Sequence, residues 1–180
     1  MLLQRYKIVF AGSMGAGKTT AIQCVSNIDV LSTEAMNTDI QAHQKNLTTV
    51  GIDYGELIVD EETQIGLYGT PGQQRFDFIW NMIVDGAIGT ILLIDHSVPH
   101  AIQDLNTYLD YFSVRQKNIV IAITHVDSKN SRTTQIYHDW ASQQLTTHPL
   151  FFVDARHQPD ILMLIDALLA NAEVQISPRV

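Results

Sequence analysis

Short apolar runs alternate with longer segments of helical period along most of this chain. Two of the runs, Ile8-Val9-Phe10 and residues 119–123, are apolar at every position, which is typical of strands covered on both faces. The β-rich runs comprise residues 6–11, 49–59, 63–68, 87–94, 119–124 and 150–153, and the segments of helical period comprise residues 18–26, 73–84, 101–115, 132–146 and 158–172. This alternation predicts an α/β fold of three layers with right-handed crossovers.

One connection between β-rich runs is too short for a crossover. Only Asp60, Glu61 and Glu62 separate residues 49–59 from residues 63–68, so these two runs are predicted to form an antiparallel hairpin. The expected sheet has six strands, mostly parallel with one antiparallel edge strand, and five helices accompany it. The segment between residues 27 and 48 is polar and aperiodic, and we interpret it as a mobile functional loop. The 180 residues are expected to form a single domain, 1–180.

Composition narrows the classes of function. The chain has 11 Lys and Arg against 19 Asp and Glu, a net charge of −8 without a basic cluster, which disfavours binding to nucleic acid. The single cysteine, Cys24, excludes an internal disulfide and fits a reducing compartment. The apolar runs are far shorter than a membrane span, and the chain lacks signal-peptide and lipidation motifs. We expect a cytoplasmic protein without a membrane anchor of its own.

The clearest chemical signal is the segment Gly12-Ser13-Met14-Gly15-Ala16-Gly17-Lys18-Thr19, which matches G-x-x-x-x-G-K-S/T between a predicted strand and a predicted helix. Its glycines let consecutive backbone N–H groups converge on an anion, and the helix beginning near Lys18 adds its positive end. Lys18 is expected to neutralise the β- and γ-phosphates of a nucleotide, and the Thr19 hydroxyl to bind Mg²⁺. Thr20 adds a hydroxyl for the α-phosphate. The alternative is a glycine-rich turn without a ligand.

Four further motifs accompany this phosphate-binding loop. They are residues 48–54, Leu67-Tyr68-Gly69-Thr70-Pro71-Gly72-Gln73-Gln74-Arg75-Phe76, Thr124-His125-Val126-Asp127 and Asp154-Ala155-Arg156. In this order and spacing the chain resembles the Ras-like small GTPases over essentially its whole length. The Thr-Pro-Gly-Gln motif, which no acidic residue precedes, resembles the second switch of a bacterial branch of the family. That branch includes the Mgl-type polarity GTPases and other small GTP-binding proteins with roadblock-fold partners. The resemblance implies the three-layer P-loop NTPase fold.

The resemblance also implies how GTP or GDP and Mg²⁺ are bound at the phosphate end. Thr49, with Thr48 as the adjacent alternative, would be the switch threonine that joins Thr19 as a metal ligand when the γ-phosphate is present. The Gly72 N–H would sense that phosphate, and Gln73 would be the catalytic residue that orients the attacking water. A surface glutamine in the first turn of a helix is the alternative for Gln73.

At the base end, the resemblance implies that Asp127 pairs with guanine N1–H and N2–H₂, a donor pair that adenine lacks. Ala155 would donate its N–H to guanine O6, and His125 would cover the base. Thr124 would tie the base loop to the phosphate loop. Arg156 would stack beside the base, or be a solvated surface arginine, and Asp127 has the alternative of capping a turn.

Several positions depart from the family pattern. Gly69 stands where small GTPases usually carry an Asp that holds Mg²⁺ through water, so weakened Mg²⁺ binding is expected. Asp95 either compensates for this loss or is a plain loop carboxylate. Met14 would crowd an arginine finger, and no Arg occurs between Arg5 and Arg75. Intrinsic hydrolysis of GTP is therefore predicted to be slow, with any stimulation coming from a partner through ordering of the second switch.

We predict a guanine-nucleotide switch that signals to a regulatory or effector protein, and the resemblance suggests a roadblock-type dimer as that partner. One alternative is a pseudo-GTPase that holds its nucleotide as a structural ligand, which Gly69 and Met14 favour. Another is a P-loop kinase for a small molecule, which the lack of arginines between residues 27 and 48 disfavours.

The segment after Gln73 places Phe76, Ile79, Trp80 and Ile83 at helical spacing. Packing of this face against the sheet is one interpretation. The other is an apolar patch whose exposure changes with the nucleotide and that forms part of a partner surface.

Overall fold

A computed structural model describes residues 4–37, 48–73, 77–127 and 133–176. Within these ranges the chain forms seven strands and five helices. In chain order they are β1 Gln4–Ala11, α1 Lys18–Val25, β2 Leu31–Asn37, β3 Thr48–Ile58, β4 Thr63–Gly69, α2 Asp77–Val84, β5 Gly89–Asp95, α3 Ala101–Ser113, β6 Ile119–Thr124, α4 Gln135–Ser142, β7 Leu150–Phe152 and α5 Gln158–Ile176. The predicted α/β fold with five helices is confirmed.

All seven strands belong to one sheet with the order β2-β3-β4-β1-β5-β6-β7. From β4 to β7 every neighbouring pair is parallel, whereas β3 runs antiparallel to both β2 and β4. The predicted hairpin is therefore confirmed, with Ile58 opposite Gln64 near the turn and Asp53 opposite Gly69 at the far end. The predicted antiparallel edge is present.

The prediction of six strands is wrong, because β2 adds a seventh at the edge of the sheet. β2 lies in the segment that we interpreted as a loop, and it pairs with β3 from Leu31 opposite Tyr54 to Asn37 opposite Thr48. Its sequence, LSTEAMN, has weak strand propensity, so the strand depends on backbone pairing with β3 rather than on an apolar pattern. Residues 38–47 of that segment lie outside the described residues.

Two apolar clusters fill the space between the sheet and the helices. Because successive side chains of a strand point to opposite faces, Ile8 and Phe10 of β1 join α1 and α5, whereas Val9 and Ala11 join α2, α3 and α4. Every residue of β5 and β6 is buried, as expected of strands covered on both faces. The three predicted layers are thereby observed.

The apolar face of α2 belongs to this core. Ile79, Trp80 and Ile83 are buried against the sheet and α3, which supports the packing interpretation for these three residues. Phe76 lies outside the described residues. Within the part of the chain that the structure describes, no helix combines the length and the apolar character that a membrane span requires.

The topology brings five connecting segments to one edge of the sheet. The parallel strands β1, β4, β5, β6 and β7 all end there, and the register of β3 places Asp53 beside the last residue of β4. Ligands of open α/β sheets bind at this carboxyl edge. The motifs that follow these strands in the sequence are therefore neighbours in space.

Candidate nucleotide-binding site

The phosphate-binding loop turns from β1 into α1 through three glycines with positive φ, Gly12, Gly15 and Gly17. Two of them are also required by close packing. A Cβ on Gly12 would lie 2.0 Å from the carbonyl oxygen of Leu93, and one on Gly17 would lie 2.9 Å from the Cβ of Ala155. The motif glycines therefore permit both the turn and the close approach of the loop to neighbouring segments.

The N-terminus of α1 has the features of an anion site. The helix begins at Lys18, and among the described residues no side chain caps its first turn and no acidic residue lies in it. The N–H groups at a helix start lack helical partners and carry a partial positive charge, so they can bind phosphate oxygens.

Lys18 has its ammonium group directed back along the loop. Its Nζ donates hydrogen bonds of 2.8 Å to the carbonyl oxygens of Gly12 and of Ser13. The residue is 8% exposed. Burial lowers the pKa of Lys18 from 10.5 to about 8, and the nearby charge of Asp53 opposes this shift. An ammonium that has already lost its water is well prepared to bind an anion.

A cavity of about 360 Å³ lies in front of this loop. Residues from three segments line it, and they are Met14, Gly15, Gly17, Lys18, Thr19 and Thr20 of the loop and α1, Gly51 and Asp53 of β3, and Thr70, Pro71, Gly72 and Gln73 after β4. The structure therefore brings the phosphate-loop residues, Gly72 and Gln73 together around one space, as the motifs predict. Gln73 precedes α2, which begins at Asp77 rather than at residue 73.

Asp53 is the site residue that sequence reasoning missed. It is buried, its Oδ2 accepts a hydrogen bond from the hydroxyl of Thr19, and its Oδ1 accepts one of 2.6 Å from the hydroxyl of Ser32. A carboxylate thus contacts the hydroxyl that we predict to be a Mg²⁺ ligand. Gly69 does not leave the site without an acid, because the acid comes from the neighbouring strand.

The pairing of β3 with β4 explains how Asp53 comes to occupy this place. Asp53 and Gly69 are direct partners in the ladder. A Cβ on Gly69 would lie 3.1 Å from the Cβ of Asp53 and 3.2 Å from its Oδ2, so the Asp53 carboxylate fills the space beside Gly69. The sequence contains this information. A hairpin centred on Glu61 pairs residues that are equally far along the chain from Glu61, as Asp53 and Gly69 are.

Thr70 also lines this cavity. The residue is buried, and its Oγ1 has no hydrogen-bond partner among the described residues. Thr19 and Asp53 offer hard oxygen donors of the kind that Mg²⁺ prefers. Among the described residues no three His, Cys, Asp or Glu side chains cluster to hold a metal, so an ion here would also need oxygens of the nucleotide.

The structure supports the interpretation of Asp95 as a loop carboxylate. Its Oδ1 accepts hydrogen bonds from the backbone N–H of Ser97, at 2.8 Å, and from the Ser97 hydroxyl, at 2.6 Å. It therefore caps the turn after β5. Thr49 lies in β3 opposite Met36, but the side chains of Thr48 and Thr49 are outside the described part of the structure, as are residues 74–76.

A second cavity, of about 250 Å³, adjoins the first and shares Gly15, Gly17 and Thr20 with it. Its other lining residues come from the two base motifs, and they are Thr124, His125, Asp127, Asp154, Ala155 and Arg156. All the residues predicted for the base end are thus brought together by the ends of β6 and β7.

Thr124 connects the two cavities. Its buried hydroxyl lies 3.0 Å from the carbonyl oxygen of Ala16 and 3.0 Å from Nδ1 of His125. His125 adopts a left-handed backbone conformation, with φ 58°, at the end of β6. The predicted tie between the base loop and the phosphate loop is present in the structure.

Arg156 joins the two carboxylates at the base end. Its guanidinium forms a bidentate ion pair with Asp154, at 2.8 Å and 2.6 Å, and lies 3.4 Å from Oδ2 of Asp127. These contacts hold the pKa of Asp154 near 2. The side chains of Arg156 and Asp127 are 69% and 73% exposed, so solvent screens their interaction.

A family model described as "Conserved hypothetical ATP binding protein" matches residues 28–150 of this chain. The chain belongs to this family. The range matched by the ATP-binding family begins after the phosphate-binding loop and includes Asp53, Gly72 and Asp127.

The chain is also similar to individual proteins, two by sequence and one by structure. An uncharacterised protein of Methanocaldococcus jannaschii is 33% identical over 91 residues, 51% of each chain, so the match spans about half of that protein's length. Ras-related protein Rab-7b of Mus musculus is 20% identical over 173 residues, which cover 92% of this chain and 81% of the Rab. The crystal structure of the G domain of the T. maritima FeoB iron transporter has a TM-score of 0.65 at 16% identity, covering 94% of this chain and 99% of that domain.

These findings and the geometry of the cleft agree on the broad class. The chain has the fold of a G domain, and it belongs to a family described as ATP-binding.

Proposed function

We propose that this protein is a guanine-nucleotide switch, with a single G domain, that binds GTP or GDP with Mg²⁺ and hydrolyses GTP slowly. The observation that carries the proposal is the junction of the two cavities at Gly15, Gly17 and Thr20. A nucleotide whose phosphates lie on the loop would extend its base toward Asp127. A carboxylate there accepts the two hydrogen bonds that guanine can donate and adenine cannot.

The metal proposal rests on the oxygen atoms around Thr19. Asp53 and Thr19 would hold Mg²⁺, with Thr49 as a further predicted ligand. An ion held by these residues would supply positive charge that neutralises the phosphate oxygens during transfer. Asp53 supplies the carboxylate that Gly69 lacks, which removes one of the two arguments for a pseudo-GTPase.

The hydrolytic step would depend on residues at the mouth of the cavity. Lys18 would neutralise the phosphate oxygens, the Gly72 N–H would bind the γ-phosphate, and Gln73 would orient the attacking water. No arginine lines the cavity in the described part of the chain, and Met14, which is 74% exposed, occupies the entrance. Slow intrinsic turnover follows, because nothing in this lining replaces an arginine finger.

ATP is a second candidate ligand, and two observations favour it. The family description names ATP. The guanidinium of Arg156 lies 3.4 Å from Asp127 and competes with a guanine for that carboxylate. We further propose, from the Thr-Pro-Gly-Gln motif, that the protein belongs to the Mgl-type bacterial branch and signals through a regulatory partner such as a roadblock-fold dimer.

The test is a direct comparison of GTP and ATP. Binding of each nucleotide and single-turnover phosphate release are measured with Mg²⁺ and with a chelator, for the wild type and for Lys18→Ala, Gln73→Leu and Asp127→Asn. We expect Mg²⁺-dependent GTP binding that Lys18→Ala abolishes, slow turnover that Gln73→Leu reduces, and a shift toward xanthosine nucleotides in Asp127→Asn. Tighter binding of ATP than of GTP would overturn the guanine assignment. Binding without any turnover would favour the pseudo-GTPase.

A further inference from the structure

Two buried aromatic side chains hold consecutive backbone carbonyls at the γ-phosphate end of the site. The indole Nε1 of Trp80 donates a hydrogen bond of 2.9 Å to the carbonyl oxygen of Pro71. The hydroxyl of Tyr108 donates one of 3.0 Å to the carbonyl oxygen of Gly72. Pro71 and Gly72 both line the phosphate cavity, whereas Trp80 and Tyr108 belong to the core between α2 and α3.

Because the peptide bonds are trans, these two hydrogen bonds also fix the directions of the N–H groups that follow the two carbonyls. In such a peptide the C=O and the following N–H point in opposite directions, and none of the described peptide bonds is cis. A carbonyl of Pro71 that is held by Trp80 therefore directs the N–H of Gly72 away from α2. In the same way, the bond from Tyr108 to Gly72 fixes the direction of the N–H of Gln73.

Gly72 borders the phosphate loop. It lies directly against the backbone of Met14, since a Cβ on Gly72 would lie 2.5 Å from the Met14 nitrogen. A Gly72 N–H that points away from α2 is therefore within reach of a γ-phosphate bound on that loop.

The anchors themselves are rigid. Trp80 and Tyr108 are 2% and 1% exposed, and their ring centroids are 5.1 Å apart, with Phe112 stacked on Trp80. Burial raises the pKa of Tyr108 well above its usual range, so the phenol keeps its donor proton throughout the neutral range. The orientation of the Gly72 segment is thus set by the core and not by the exposed loop.

We propose that Trp80 and Tyr108 are positioning residues of the γ-phosphate site, which act through the peptides of Gly72 and Gln73. They set the preference of the protein for a triphosphate over a diphosphate and the placement of Gln73. The inference rests on the proposed function, and it adds a specific link between the nucleotide and the core that joins α2 to α3.

The decisive variant is Tyr108→Phe, which removes one hydroxyl and keeps the packed ring. Tyr111→Phe is the matched control, because Tyr111 also packs on Trp80 but its hydroxyl lies 2.8 Å from the carbonyl oxygen of Asp77 and 2.7 Å from Oδ1 of Asn81, away from Gly72. Dissociation constants for GDP and for a slowly hydrolysed GTP analogue, and single-turnover rates, are measured for both. In Tyr108→Phe we expect analogue affinity and turnover to fall by about three- to tenfold. We expect GDP affinity to stay within about twofold, because the lost contact serves only the γ-phosphate.

Trp80→Phe, which loses the indole N–H, should change the analogue-to-GDP affinity ratio in the same direction. A fluorescence measurement gives a readout independent of turnover. The chain has two tryptophans, so Trp140→Phe leaves Trp80 as the sole emitter. We expect the emission of Trp80 to differ between the GDP and analogue complexes, and Tyr108→Phe to remove most of that difference while Tyr111→Phe retains it.

The outcomes separate this inference from the proposed function. A wild type that prefers the analogue, together with a Tyr108→Phe variant of unchanged affinity ratio and lowered melting temperature, would show a merely structural role and overturn the inference alone. A wild type that binds neither guanine nucleotide would overturn the proposed function and the inference with it.

Discussion

The two halves of the cleft are built in opposite ways. At the phosphate end, Lys18 and Asp53 are buried, and each is held by two hydrogen bonds to neighbouring segments. At the base end, the charged groups Asp127 and Arg156 are mostly exposed, and their closest approach is 3.4 Å. Charges that are removed from water interact strongly and are little affected by salt, whereas exposed pairs contribute little.

This difference indicates how nucleotide recognition is divided. The phosphate end is preorganised and should supply most of the affinity for any nucleoside triphosphate. The base end should supply a modest discrimination that depends on the competition between Arg156 and the base for Asp127. Such a division would be consistent with a family described as ATP-binding whose fold is that of a G domain.

The largest expected effect is at Lys18. Lys18→Met removes the one cation that lines the phosphate cavity among the described residues, so affinity for GTP and for ATP should fall by about 100-fold or more. Lys117→Met, a change of the same kind at an exposed position, is the control and should bind normally. Titration calorimetry with both nucleotides measures the effect. Retained binding in Lys18→Met would mean that affinity does not come mainly from the phosphate end.

The second largest effect on nucleotide affinity is expected when the Asp53 carboxylate is removed. Asp53→Asn should weaken the Mg²⁺-dependent part of triphosphate affinity by about tenfold or more, because a charged oxygen ligand is lost. Asp95→Asn is the control. The amide oxygen of the new side chain can still accept the two hydrogen bonds that Ser97 donates to Asp95. The measurement is a Mg²⁺ titration at fixed nucleotide concentration.

An exchange of the two ladder partners sharpens the same point. Gly69→Asp alone should destabilise the protein, because its Cβ would lie 3.2 Å from Oδ2 of Asp53 and would bring two carboxylates together. Added to Asp53→Gly, which removes the clashing side chain, the same change should restore part of the Mg²⁺ dependence. If Asp53→Asn binds Mg²⁺ as the wild type does, Asp53 is a structural partner of Thr19 and not a metal ligand.

The pH dependence of affinity should be confined to the phosphate end. The pKa of Lys18 is about 8 in the free protein, and phosphate oxygens favour the charged ammonium and raise that pKa again. Binding therefore takes up a proton above pH 8, and affinity should fall by about tenfold per pH unit there, while the contribution of Lys18 stays nearly constant below pH 7. Titration calorimetry in buffers of different ionisation enthalpy measures the number of protons taken up on binding. Proton release on binding would contradict this assignment.

The smallest effect is expected at the base end. Arg156→Gln frees Asp127 from its guanidinium neighbour, so the ratio of GTP to ATP affinity should rise by about two- to threefold. High salt should likewise raise the ratio of GTP to ATP affinity in the wild type, and it should leave that ratio unchanged in Arg156→Gln. Arg115→Gln, whose side chain bonds Asn81 far from the cleft, is the control. A change of 100-fold would show that the base end is as decisive as the phosphate end.

Local sequence was sufficient for the motifs whose chemistry is local. The phosphate loop was predicted because its glycines, Lys18 and the start of α1 are consecutive in the chain. The parallel strands were predicted because strands buried on both faces are apolar throughout. β2 was missed for the opposite reason, since an edge strand of polar sequence is defined by the partner it pairs with.

The amino-acid sequence by itself determined the fold class, the phosphate loop and the set of residues that converge at the carboxyl edge of the sheet, because each depends on patterns within a few neighbouring residues. Only the tertiary structure decided which carboxylate contacts Thr19 and which aromatic donors orient Gly72. Asp53, Thr70, Trp80 and Tyr108 meet the site through strand register and core packing, and those contacts join residues far apart in the chain.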